Sequence, residues 1–362
     1  MLRHFIFLLV LLPWSALAEQ QVQPKIPPGY VSSASTDEQG LWSELVDYEQ
    51  ALMRSALRVK DKNLNAYVQN TMCRVAGEYC QDLRVYVLRN PNFNASITAN
   101  GVVSVWTGLL LRVSSEDELA SILGHELAHY TQLHSLEQLR RASAAMTAGS
   151  IVDLGLTMLA GAEVNLGQMA ATAGLMSFSR GDETEADLLG ARFIADAGYN
   201  PRAAARVWEM LVAENEQAAV KEQKAGIFSK THPSSHDRVK ALKSYVAAEF
   251  PDAPPVDTEG RAQHVAMLNR HYQFMMEDQL DTNRHGRTGA MLERHREVGV
   301  NDSLIHFFYG EMYRQRDEEG DRQLALDSYG RAAKAENPVP EAFQQLGYLH
   351  MKQGEKDQAK IN

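Results

Sequence analysis

The sequence predicts an α+β chain: a mainly helical domain carrying a small β-sheet, followed by an all-α, TPR-like domain. Three observations predict it. Apolar residues recur at helical spacing through most of the chain. Only two short runs are β-rich, Leu83-Arg84-Val85-Tyr86-Val87-Leu88 and Val102-Val103-Ser104-Val105-Trp106. Beyond residue 300 a faint repeat emerges, with offsets of 37 residues from Gly310 to Gly347 and 34 from Ala325 to Ala359.

Residues 1–18 read as a cleavable signal peptide. Arg3 and His4 precede an apolar core at 5–12, and Ala16-Leu17-Ala18 forms an A-x-A cleavage site before Glu19. The core is too short for a membrane span. Cleavage after Ala18 would release a mature periplasmic chain, and loss of Arg3 would take the formal charge from −10 to −11. An acidic chain without a basic stripe argues against nucleic acid as a partner. In an oxidising compartment the only two cysteines, Cys73 and Cys80, are expected to pair, although spacing leaves the geometry open.

The next element is a helix. Ser115 and Glu118 form a capping-box pattern, and Leu119, Ile122, Leu123 and Leu127 follow at helical spacing. One face is expected to be buried, with the other lining a cleft. His125-Glu126-Leu127-Ala128-His129 lies within it and reads H-E-x-x-H. Histidines at i and i+4 share one helix face and can hold one Zn²⁺ (one per chain), while Glu126, about 100° further round, can act as general base on a water. Beside such a helix, an edge strand can hold a peptide extended by main-chain pairing.

Catalytic zinc needs a third protein ligand. The segment 179–187 opens another helical pattern, in which Glu183 and Asp187 are i and i+4 and can face the same cleft. Glu183 is assigned to the metal and Asp187 to orienting a ligand histidine through its distal ring N–H. Glu185 is expected to point elsewhere, and a helix-dipole preference accounts for Asp182 or Glu185. His232 has two readings: a residue over the metal cleft, as fourth ligand or hydrogen-bond donor to the transition state, or simply the residue before Pro233, which would open a helix at 234–248. Arg238 reads as an ion-pair partner or an oxyanion contact, and His134 as structural. His236, His264, His271, His285, His295, His306 and His350 read as surface or packing residues.

Between these motifs, 144–178 is almost entirely small and apolar apart from Asp153 and Glu163. Glycines divide it, which favours a helical hairpin packed beside the site; bilayer contact through 144–178 is the other reading. Pro251-Asp252-Ala253-Pro254-Pro255 reads as a stiff linker. The expected organisation is therefore a catalytic domain at 19–250, a linker at 251–258 and TPR-like helices at 259–362, the array breaking off soon after Ala359.

Taken as an ordered set, Asn94-Ala95, Gly101, Thr107-Gly108-Leu109-Leu110, Glu118-Leu119-Ala120, the H-E-x-x-H motif, Glu183-x-x-x-Asp187, and Thr231-His232-Pro233 with Arg238 resemble the gluzincin metallopeptidases that include HtpX and the CAAX prenyl endopeptidases. The likeness covers roughly residues 40–245 and is greatest to the periplasmic, TPR-containing, outer-membrane-assembly-associated (BepA-like) branch. Leu133 stands where a basic residue often precedes the equivalent of His134. The resemblance implies a zincin-type protease fold in which Glu183 is the third ligand, acting on misfolded or stalled envelope proteins, including outer-membrane β-barrels. It also implies recruitment of outer-membrane assembly machinery through the TPR-like domain. A chaperone or scaffold with latent proteolysis is the competing expectation.

Overall fold

The computed structural model describes residues 22–32, 36–145, 178–217, 231–233, 235–254, 259–352 and 354. The expected signal peptide, residues 146–177 of the apolar stretch, the far end of the linker and the last residues of the repeat region lie outside the described residues.

Helix α1 (Thr36–Arg54) packs Tyr48 and Leu52 onto the sheet residues Leu88 and Val102. Helix α2 (Lys62–Ala76) is capped by Asp61, whose carboxylate accepts from the Leu64 N–H at 2.8 Å, and buries Leu64, Val68, Met72 and Val75 at helical spacing. Its end is joined by the Cys73–Cys80 disulfide, with Cα atoms 4.6 Å apart, to the 3₁₀ turn Gly77–Asp82.

Three strands follow. β1 (Arg84–Leu88) and β3 (Val102–Trp106) pair in parallel, and β2 (Ala95–Ile97) pairs antiparallel to β3, giving the order β1-β3-β2. β2 is an element that the sequence pattern did not announce. At three residues it is too short to show alternation, and it is defined by its pairing with β3.

A short helix α3 (Thr107–Arg112) leads into α4 (Glu116–Thr131), which carries the H-E-x-x-H motif. The expected capping box closes differently. Ser115 Oγ accepts from the Glu118 N–H at 3.3 Å, but the Glu118 carboxylate accepts from Ser114 N–H instead, at 2.7 Å. The expectation of one buried face is also corrected: every residue of α4 is buried. The acids of its first turn tolerate this because each has a partner. Glu116 accepts from Tyr199 Oη, Asp117 from the Asn200 N–H, and Glu118 pairs with Arg206.

Helix α5 (His134–Ala145) follows a two-residue turn. Helix α6 (Arg180–Asp196) opens with a full capping box, Ser179 and Asp182 satisfying each other's backbone N–H. It lies directly on α4, because glycines meet at the crossing. A Cβ at Gly190 would stand 2.9 Å from His125 N, and one at Gly124 would stand 2.9 Å from Gly190 O. Helix α7 (Arg202–Gln217) packs on α4, and α8 (His236–Glu249) packs on α7. α8 begins at His236, not at 234, since Ser235 caps it by accepting from Arg238 N–H. Pro233 therefore stands outside the helix.

Among the described residues five more helices follow: α9 (Glu259–Leu280), α10 (His285–Val298), α11 (Asp302–Arg316), α12 (Asp321–Lys334) and α13 (Pro340–Lys352). One apolar core runs from α2 through α4 to α13. Two buried histidines join the parts. His264 of α9 and His295 of α10 donate from Nε2 to the carbonyls of Leu110 and Leu111, end groups of α3 that lack helical partners. The start of the segment expected as a linker is held too, with Pro254 O accepting from Asn200 and Ala253 O from Arg202.

Candidate metal centre

Four side chains from three places in the sequence converge. His125 and His129 extend from the same face of α4, Glu183 comes from the first turn of α6, and His232 comes from the segment before α8. One donor atom from each lies within 4.8 Å of all the others, and all four residues are buried. His125 Nε2 is 3.1 Å from His129 Nε2 and 3.2 Å from His232 Nδ1, and His232 Nδ1 is 2.8 Å from Glu183 Oε1.

This donor set fits a divalent metal such as Zn²⁺. Imidazole nitrogens and a carboxylate are the ligands such ions take, and buried nitrogens crowded at these separations cannot all satisfy one another by hydrogen bonds. Glu126 supports the same reading, because its buried Oε1 has no hydrogen-bond partner among the described residues.

Each assigned residue has a definite place. Glu126 lies beside the cluster, its Oε1 3.7 Å from His232 Nε2, and its carboxyl is reached by the main-chain N–H of Ile97 on β2. Burial pushes the Glu126 pKa up to about 7, a value suited to taking and returning a proton near neutrality. Asp187 Oδ1 is 3.1 Å from His125 Nδ1, the geometry expected of a residue that orients this ring. Burial opposes the charge on Asp187, but the Arg238 guanidinium outweighs it and holds the pKa below the usual carboxylate range. Arg238 grips Asp187 with two donors, at 2.5 and 2.7 Å, and reaches Glu183 Oε2 at 2.7 Å. Of its two sequence readings, the structure therefore places it in the ion pair. For Glu183, burial is outweighed by His232 and His129, which hold it ionised. Burial depresses the pKa of both His125 and His129, favouring the neutral rings that ligation needs.

Three contributions escaped the sequence reading. Glu185 does not point away from the site: its Oε2 is 3.1 Å from His134 Nε2, and His134 Nδ1 is 2.9 Å from His129 Nδ1. Trp208 of α7 flanks His125 and lies under the Arg238 guanidinium, 3.7 Å from its Cζ. Phe178 stacks on His129 with ring centroids 4.0 Å apart. No local signal could have found Trp208 or Phe178, which reach the site only through tertiary packing. Nor did the spacing 183, 185, 187 point to Glu185, which helix periodicity turns away from Glu183 and which reaches the cluster only through His134.

Comparison with known proteins agrees with this geometry. The chain is 34% identical over 186 residues to the mitochondrial metalloendopeptidase OMA1 of Schizosaccharomyces pombe, covering 50% of this chain and 52% of that one. It is 32% identical over 202 residues to the putative beta-barrel assembly-enhancing protease of Vibrio cholerae, covering 53% and 41% respectively. Over 225 residues it is 27% identical to the beta-barrel assembly-enhancing protease of Escherichia coli K12, covering 59% and 45%. The chain thus spans about half the length, or less, of these relatives. Residues 58–246, just over half of the chain and including every residue of the cluster, match the model of Peptidase family M48, and the chain belongs to that family.

Proposed function

We propose that the protein is a zinc-dependent endopeptidase of the periplasm that hydrolyses peptide bonds in misfolded or stalled envelope proteins. The observation that carries this reading is the burial of His125, His129, Glu183 and His232 around one point, with Glu126 beside them. His125, His129 and Glu183 would hold the metal. Zn²⁺ bound there would supply Lewis-acid chemistry toward a peptide carbonyl and a water. Glu126 takes the proton from that water and returns it to the leaving amine. His232 donates to the carbonyl oxygen as charge develops there. Asp187, itself held by Arg238, keeps the His125 ring aimed. The edge position of β2 beside α4, with Ile97 at the Glu126 carboxyl, supports a substrate held extended along that edge.

The substrate class rests on the relatives named for β-barrel assembly. The helical hairpin of α11 and α12, with Gly310 seated against the Tyr329 ring, supports a TPR-like module that recruits assembly partners. Chelation tests the reading. Casein cleavage by the purified protein should stop when zinc is removed by a strong chelator and resume when one equivalent is restored. Cleavage indifferent to chelation contradicts it.

One observation favours a second reading, a chaperone or scaffold with latent proteolysis. His232 stands inside the donor set, 2.8 Å from Glu183, where a fourth protein ligand would occupy the position the attacking water needs. A His232→Ala variant that cleaves casein faster than the parent supports latency; unchanged or lower activity argues against it.

A further inference from the structure

We propose that His134 and Glu185 form a positioning relay that fixes the tautomer and ring orientation of His129; this rests on the reading of His129 as a metal ligand. The two Nδ1 atoms are 2.9 Å apart, and one hydrogen lies between them. If it belonged to neutral His134, neutral His129 would carry its own hydrogen on Nε2, the atom that faces His125 Nε2 at 3.1 Å and Glu183 Oε1 at 3.5 Å. That nitrogen would then have no lone pair for a metal. With the hydrogen on His129 Nδ1, the Nε2 lone pair is free, and His134 must carry its hydrogen on Nε2. Glu185 Oε2 waits there at 3.1 Å to accept it. The carboxylate thus selects the ligation-competent tautomer of a ring two hydrogen bonds away.

The backbone is built for this contact. Leu133, between α4 and α5, adopts φ 55°, a left-handed conformation that costs a residue with a side chain roughly 1–2 kcal/mol. The turn brings His134, five residues after His129, back onto the His129 ring. His134 is buried, and Phe178 stacks on His129 at 4.0 Å. Glu185 leaves α6 about 200° round from Glu183, so it can serve His129 only through this folded-back imidazole. The two metal-binding histidines of α4 are therefore oriented by one helix through different routes: Asp187 directly to His125, and Glu185 through His134 to His129.

The test is zinc affinity of the full chain, measured by competition with a chromophoric chelator, together with the visible spectrum of the Co²⁺-loaded protein. Glu185 is partly exposed, and alanine suits its helix, so Glu185→Ala should fold. We expect Glu185→Ala to weaken zinc binding about tenfold and shift the Co²⁺ bands. Glu185→Gln, which keeps an acceptor for His134, should restore both. His134→Leu should weaken zinc binding by about 10- to 100-fold. If His134→Leu does not fold, the alanine–glutamine pair at 185 decides. The relay is overturned if Glu185→Ala keeps the parent's zinc affinity and Co²⁺ spectrum, or if Glu185→Gln is as impaired as alanine. A folded parent that binds no zinc sinks the metal-centre reading and the relay with it; a zinc-binding parent with unaffected variants sinks only the relay.

Discussion

On the proposed reading, the residues of the centre divide the work between those that meet the substrate and those that hold them in place. Asp187 illustrates the second kind, since it lies between the Arg238 guanidinium and the distal nitrogen of His125. Asp187→Asn keeps the shape but loses the charge and one acceptor. It should weaken zinc binding by about 10- to 100-fold in chelator competition. An affinity equal to the parent's would show that Asp187 does not orient His125. A different residue-scale prediction concerns pH. Burial lowers the His264 pKa from 6.5 to about 4, so the folded state keeps this imidazole neutral while the unfolded chain takes up a proton. Its contribution to stability is complete above the unfolded pKa and is lost as pH falls from about 6.5 toward 4, at up to about 1.4 kcal/mol per pH unit. His264→Gln can still donate to Leu110 O but does not titrate. Denaturant unfolding between about pH 6 and pH 4.5 should therefore show a slope shallower by that amount, and an unchanged slope would contradict the assignment.

At the scale of elements, the approach of α6 to α4 builds the centre. Gly124 and Gly190 let the two backbones touch, which brings Glu183 within reach of both histidines. Gly190→Ala should cost about 1–3 kcal/mol by overpacking and also lower the zinc stoichiometry below one. Gly330→Ala, in α12 with open space at its Cβ, is the contrast: it should raise stability by up to about 1 kcal/mol. Thermal melts and metal analysis of the two variants check both. Much of this was legible in the sequence. The i, i+4 pairs His125/His129 and Glu183/Asp187 announced their shared faces, and Arg84–Leu88 and Val102–Trp106 were recognisable by β-branched and aromatic content. The glycine contact was not legible, because neither glycine has a local turn role and only the crossing explains them. Nor was the full burial of α4, whose charged first turn is satisfied by Tyr199, Asn200 and Arg206 from distant sequence. Helix periodicity turns Glu185 away from Glu183. The folded-back turn at Leu133 defeats that inference.

At the scale of the molecule, the C-terminal helices are part of the framework that supports the centre. α9 packs on α3 and α4, and buried Arg112 joins Glu214 of α7 to Gln279 of α9. A chain ending at residue 254 would leave the Leu110 and Leu111 carbonyls without His264 and His295, and would expose core residues that face Leu268, Tyr272 and Met276. It should lose cooperative unfolding and aggregate; a shortened chain that melts cooperatively and holds zinc would show the catalytic part to be independent. Among the described residues, no helix is long and apolar enough to cross a membrane.

The proposed proton-transfer role of Glu126 is tested by casein cleavage by the zinc-loaded wild type beside Glu126→Gln, each verified to hold one zinc per chain. The wild type should cleave, and the variant should lose activity by at least about 100-fold while retaining its zinc. Equal cleavage by both proteins would contradict that role, as would no cleavage by a wild type that holds its zinc.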